Sequence, residues 1–87
     1  MEIKEYTLEM RGMPHRDLEE YFLSIGGEWD GKRTYIGPNW EVNLSDSWSC
    51  MLGSIQIPAT KVTFRIEEED WPEFVRAFRF RFLSAGG

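Results

Sequence analysis

The chain is poor in the residues that most sequence-readable chemistry requires. It holds one cysteine, Cys50, and one histidine, His15, among 87 residues. A single cysteine excludes a disulfide within the chain and any cysteine cluster around a metal. With only His15 beside it, a zinc site would have to recruit carboxylates or a second chain. Long apolar runs are also missing; the longest is a few residues, against the ~20 that span a bilayer. The opening Met1-Glu2-Ile3-Lys4-Glu5 has neither a basic segment nor an apolar one behind it. No secretory signal is therefore expected, and the expected location is cytoplasmic. Repeats, linkers and low-complexity segments are absent.

Positive charge is the minority: 10 basic residues stand against 15 acidic, for a net charge of −5. That balance disfavours phosphate backbones and anionic membranes, so neither nucleic acid nor a membrane is an expected partner. What is plentiful is aromatic area, at 15% of residues within a 41% hydrophobic chain. Rings bury about 150–250 Å² each, so a small core can reach stability with few of them. The length allows one domain, residues 1–87.

Residues 2–10 read as a strand, with Tyr6, Leu8 and Met10 alternating against Glu5, Thr7 and Glu9, and Ile3 out of phase. Pro14 suits the first turn of a helix, where its missing N–H has no partner to lose. Leu18, Tyr21, Phe22 and Ile25 then recur at helical spacing until Gly26-Gly27. Short strands follow. Asp30-Gly31 is a type I′ hairpin signal before Arg33–Ile36. Gly37-Pro38-Asn39 turns into Trp40, Val42 and Leu44, which alternate with Glu41 and Asn43. Residues 48–57 read as one strand with a bulge or bend at Gly53, which brings Trp48, Cys50, Leu52, Ile55 and Ile57 to a common face. Pro58-Ala59-Thr60 reads as a turn, and Val62, Phe64 and Ile66 mark the last strand.

Asp70 and Glu73 have capping-box spacing around Pro72, which predicts a second helix. Phe74, Ala77, Phe78 and Phe82 form its inward stripe. Phe78-Arg79-Phe80-Arg81-Phe82 alternates and would also suit a strand; the cap and the spacing of Phe74, Phe78 and Phe82 favour helix, with Phe80 pointing outward. The predicted fold is α+β. It is a two-layer sandwich in the order strand, helix, four to five antiparallel strands, helix. Both helices lie on one face of a curved antiparallel sheet. A flexible tail is expected from about residue 84.

Across nearly the whole chain this order resembles the TATA-binding-protein-like α+β fold. It is also similar in size to the C-terminal domain of MoaD-related proteins, attached in some chains to a molybdopterin-synthase small-subunit domain. The resemblance implies a role beside molybdenum-cofactor or sulfur-carrier chemistry, and it brings no catalytic residue. The DNA-binding function of the fold's namesake does not carry over to one acidic copy of the unit.

Individual residues support plain readings. His15 has no evident acid–base partner and reads as a surface histidine. Cys50 shares a phase with Trp48 and Leu52 and reads as a small buried hydrophobe. Glu67-Glu68-Glu69-Asp70 is explained by the helix dipole, and no EF-hand spacing is present. Arg76, Arg79 and Arg81 around Phe80 read as a solvated helix face; an exposed Phe80 would mark a protein contact. Trp29, Trp40 and Trp48 fall in the sheet, where any on the helix-free face could bind a small ligand or peptide. Gly86-Gly87 resembles the ending of sulfur carriers and ubiquitin-like modifiers, yet the chain lacks the opening hairpin of their β-grasp fold.

No catalytic, cofactor or metal site is expected. The expected function is a non-catalytic small binding or protein-interaction domain, its surface drawn from Trp29, Trp40, Trp48 and Phe80. A protein partner or a small ligand is expected, with the chain a monomer or weak homodimer. The alternative is a sulfur carrier working through a Gly-Gly thiocarboxylate at Gly86 and Gly87. An enzyme with a site built across a homodimer is disfavoured by the lack of a paired acid and base.

Overall fold

A computed structural model describes the backbone of residues 2–86 and the side chains of residues 2–82. The elements are β1 (Ile3–Arg11), α1 (His15–Ser24), β2 (Glu28–Trp29), β3 (Thr34–Ile36), β4 (Trp40–Leu44), β5 (Trp48–Leu52), β6 (Ile55–Glu67) and α2 (Trp71–Gly86). The fold is α+β, with an antiparallel sheet in the order β1-β6-β4-β3-β2 and β5 paired to β6. The long strand β6 organises it. β1 runs along one side of β6, while β4 and β5 follow one another along the other.

Alternation along each strand then sorts the side chains. The rows Tyr6–Phe64–Val42–Tyr35 and Leu8–Val62–Leu44 turn to one face. Both helices cover that face: Leu18 and Phe22 of α1 and Phe78 and Phe82 of α2 join the sheet residues in one buried cluster. Phe22 stacks on Phe78 with centroids 5.6 Å apart, and Phe64 meets Phe78 edge-on at 5.3 Å. Tyr6 stacks on Trp71 at 4.0 Å, which ties β1 to the start of α2. Such ring pairs add about 0.5–1.5 kcal/mol each beyond the area they bury. The opposite face carries the rows Glu5–Arg65–Glu41 and Thr7–Thr63–Asn43 and is solvated.

Several local expectations are corrected. Asp30-Gly31 does not form a two-residue turn, because Trp29 pairs with Tyr35 and residues 30–33 connect the strands. A type I′ turn needs positive φ at both central residues, and only Gly31, at 89°, has it there. The Asp30 carboxylate instead accepts from the N–H groups of Lys32 and Thr34 at 2.8 and 3.2 Å. The Lys32 bond leads in holding that carboxyl below its ordinary range.

Residues 48–57 are two strands, not one with a bulge. Gly53, at φ 65°, and Ser54 turn between β5 and β6, with Leu52 opposite Ile55. Positive φ at the first turn position alone is the type II′ pattern. Trp48, Cys50, Leu52, Ile55 and Ile57 do share a face, though as cross-strand neighbours. Pro58-Ala59-Thr60 continues β6 rather than turning. Pro58 is tolerated because its polar groups point away from β5; its carbonyl accepts the Gly12 N–H at 2.6 Å on the β1 side. Ala77 is exposed rather than inward, and Ile25 is exposed beyond the end of α1. Gly87 and the side chains from residue 83 onward, on which the expected tail falls, lie outside the described residues.

Candidate functional site

From Ser47 through Thr60 no side chain carries a charge, the longest such stretch in the chain. It folds as the β5–β6 hairpin, an arm whose both faces meet solvent. On one face lie the pairs Trp48–Ala59, Cys50–Ile57 and Leu52–Ile55; on the other lie Ser49–Pro58 and Met51–Gln56. Leu52 is 60% exposed, Ile55 63%, and Met51, on the reverse side, 61%. Single exposed apolar residues are ordinary, but a contiguous strip of them on one face marks an interaction surface. The strip ends at Ala59, whose partner across β1 is Arg11. Arg11 in turn holds Glu9 at 2.9 Å. An apolar strip thus runs into an ion pair on the helix-free side of the sheet.

The base of the arm is fixed by a directional hydrogen-bond chain. The His15 N–H donates to Ser47 Oγ at 2.8 Å. Thr60, fully buried, donates to the Met13 carbonyl at 2.9 Å, so the Ser47 hydroxyl donates to Thr60 Oγ1, also at 2.9 Å. Ser47, from the β4–β5 loop, thereby satisfies an N–H that the first turn of α1 leaves without an internal partner. His15 Nδ1 lies 3.0 Å from the Ser45 carbonyl, to which a protonated Nδ1 donates. His15 is therefore half-buried, with its backbone N–H and its ring both engaged.

A concavity of about 580 Å³ is lined by His15, Asp30, Lys32, Arg33, Thr34, Asn43 and Asp46. Its charges are largely used within it. Arg33 pairs with Asp46 at 2.9 Å, and this bond lowers the Asp46 carboxyl and raises the Arg33 guanidinium.

The residues expected to form a partner surface are dispersed. Trp29 is exposed at the edge strand β2, and its Nε1 donates to the Lys32 carbonyl at 2.9 Å. Trp48 is exposed at the root of the arm, and Phe80 is 78% exposed on α2. Trp40 is a correction. Pairing with Ile66 turns it to the helix side, where it packs on Phe22 and Phe74 in the core. Cys50 is another, being half-buried on the arm rather than in the core. Arg76, Arg79 and Arg81 are exposed, with Arg81 over the ring of Phe82 at 5.3 Å. Gly86 closes the described helix, and Gly87 is outside the described residues. Among the described residues no group of three or more His, Cys, Asp or Glu could hold a metal ion, and no helix is long and apolar enough to cross a membrane. Sequence reasoning missed the arm as a site, although the uncharged stretch was a signal for it.

A family model described as archaeal MoaD-like protein matches residues 6–87. No curated protein matches the chain. The chain belongs to the archaeal MoaD-like family.

Proposed function

We propose that this archaeal MoaD-like chain is a non-catalytic protein-interaction domain serving molybdenum-cofactor or sulfur-carrier chemistry. The observation that carries the reading is the uncharged β5–β6 arm, with Leu52 and Ile55 about two-thirds exposed on a face shared with Trp48, Cys50 and Ile57. Such a face offers apolar contact area that water solvates poorly, and its removal from water on docking favours association. Family membership supplies the chemical setting. In the polar concavity beside His15, Arg33 pairs with Asp46 and the Asp30 carboxylate is held by backbone N–H groups. Calorimetric titration against the sulfur-carrier, adenylating and molybdopterin-forming proteins of the source organism tests the proposal. Binding to one of them, weakened at least tenfold by Leu52→Lys/Ile55→Glu, is expected. Unaltered binding by that variant, or no binding to any, counts against it.

One observation favours a second reading, a sulfur carrier: the family match extends through Gly86 and Gly87. A carrier would gain an adenylate at the Gly87 carboxylate from ATP, with loss of pyrophosphate, and a sulfide-level sulfur donor would then displace AMP to leave the thiocarboxylate. Intact-mass measurement after incubation with the adenylating enzyme and ATP tests it. No mass gain retires this reading and leaves the first in place.

A further inference from the structure

We propose that two copies of this chain pair edge to edge through β5, joining their arms into one four-stranded antiparallel sheet. This rests on the reading of the arm as a docking surface and names what lies along its edge. Four edges of the sheet differ in how they are guarded, and the outer side of β6 that β1 does not reach, Ile55–Pro58, is short and ends in a proline. β1 carries Lys4, Glu5, Glu9 and Arg11, and β2 is two residues long with Glu28. Charge and shortness both discourage a second chain from adding to an edge. β5, Trp48-Ser49-Cys50-Met51-Leu52, has neither charge nor proline, and among the described residues β6 alone pairs with it.

The backbone groups that face outward from β5 follow from the turn. In a two-residue type II′ hairpin the flanking residues, Leu52 and Ile55, form the hydrogen-bonded pair. Alternation then directs the main-chain groups of Trp48, Cys50 and Leu52 toward β6 and those of Ser49 and Met51 outward. Pro58 gives an independent check. It lies opposite Ser49, and its carbonyl bonds Gly12 on the far side, away from β5. The edge thus presents two donor–acceptor pairs, at Ser49 and Met51.

The pattern is self-complementary about Cys50. A two-fold axis there sets Ser49 against Met51 of the second copy, and Met51 against its Ser49, as hydrogen-bonded pairs. Trp48 then faces Leu52 of the second copy on the same apolar side, an aromatic–aliphatic cross-strand pair. Isologous contacts of this kind close on themselves and stop at two copies. Charge points to the arm as well. Each chain carries −5, which opposes self-association, and the uncharged arm is where two copies meet with the least repulsion. Joined, the two arms double the width of the apolar strip that the proposed function needs.

Sedimentation equilibrium and cysteine crosslinking of the full chain test this. The axis makes Cys50 and its copy a non-hydrogen-bonded pair, with Cα atoms about 4.5 Å apart, within the range that a disulfide spans. Diamide accepts the two electrons and two protons that the thiols give up, becoming the hydrazine as the S–S bond forms. The parent should sediment as a dimer and crosslink rapidly. Met51→Lys, at an exposed side chain, should keep the melting temperature that the parent shows when diluted to monomer, weaken the dimer at least tenfold and abolish the crosslink. A parent that is monomeric up to its solubility limit overturns the pairing, as does a Met51→Lys chain that dimerises normally. If that monomer still binds a sulfur-transfer protein through Leu52 and Ile55, only the pairing is lost; if it binds none, the reading beneath it is lost too.

Discussion

The indole of Trp40 lies directly over the Cα of Gly37, so that a Cβ at residue 37 would overlap its Cε2, Cζ2 and Nε1 atoms. Gly27 approaches the far end of the same ring, where a Cβ would come within 2.7 Å of Cη2. The two glycines form a notch for a rigid ring that the core holds from its other side through Phe22 and Phe74. Overpacking of this kind typically costs about 1–3 kcal/mol. Gly37→Ala should lower stability by that amount in a urea melt followed by tryptophan fluorescence. A midpoint equal to the parent's would mean that Trp40 can move, and the notch would carry no constraint.

This notch also shows what was legible in the sequence. Trp40, Val42 and Leu44 alternate cleanly, so their strand and buried face could be read directly. That the same alternation removes Trp40 from any binding surface follows only once the helices are known to cover its side. The Phe74, Phe78 and Phe82 spacing likewise gave α2 and its core face. The arm was misread because a lone glycine within an apolar stretch fits a bulge as well as a turn. The difference is whether the chain reverses, and the strand pairing decides that, not local composition. Pro58 compounded the error, since proline commonly marks a turn and here occupies a β6 position with no β5 bond to lose. The capping of α1 by Ser47 joins residues far apart in sequence, and no local pattern announces it.

That remote cap makes a second expectation. Thr60→Val keeps the shape of the side chain and removes its hydroxyl. The Met13 carbonyl then loses its donor, and the Ser47 hydroxyl loses its acceptor. Ser47 is exposed and can turn to water, so the cost falls on the half-buried Met13 carbonyl, and a buried group left unsatisfied costs about 1–3 kcal/mol. Amide exchange at His15 should accelerate as well, because Ser47 is released along with it. Unchanged exchange at His15 would break the proposed link between the arm's base and α1.

Tyr35 predicts an alkaline limit. Its hydroxyl donates to Glu19 Oε2 at 2.6 Å. Burial first, then that bond and the negative charges of Glu19 and Asp30, push the phenol well above its ordinary value near 10. A raised value in the folded state means that the unfolded chain releases this proton first. Stability is therefore full below about pH 10 and falls as pH rises toward the folded-state value. Tyr21, also raised by burial, acts in the same direction. Tyr35→Phe should flatten the decline in urea midpoint between about pH 9 and 11. A decline as steep as the parent's would remove Tyr35 as its source.

The arm should be energetically separate from the body that carries it. Phe64, 1% exposed, touches rings from both helices, and Phe64→Ala should cost about 3–5 kcal/mol. Leu52 and Ile55 are also large apolar residues, yet their described neighbours are each other across a hairpin turn. Leu52→Lys/Ile55→Glu replaces one cross-strand attraction with another, since opposite charges directly across an antiparallel pair also stabilise. Exposed substitutions of this sort stay within about 0.5 kcal/mol of the parent when both are dilute enough to be monomers. Residues whose burial contributes little to folding are free to be selected for contact with something else, which is the physical content of calling the arm a docking surface. Thermal melts of the two variants, run beside the parent, measure the contrast. If the double arm variant unfolds as readily as Phe64→Ala, then the strip is packed against the body and is part of the core's own support.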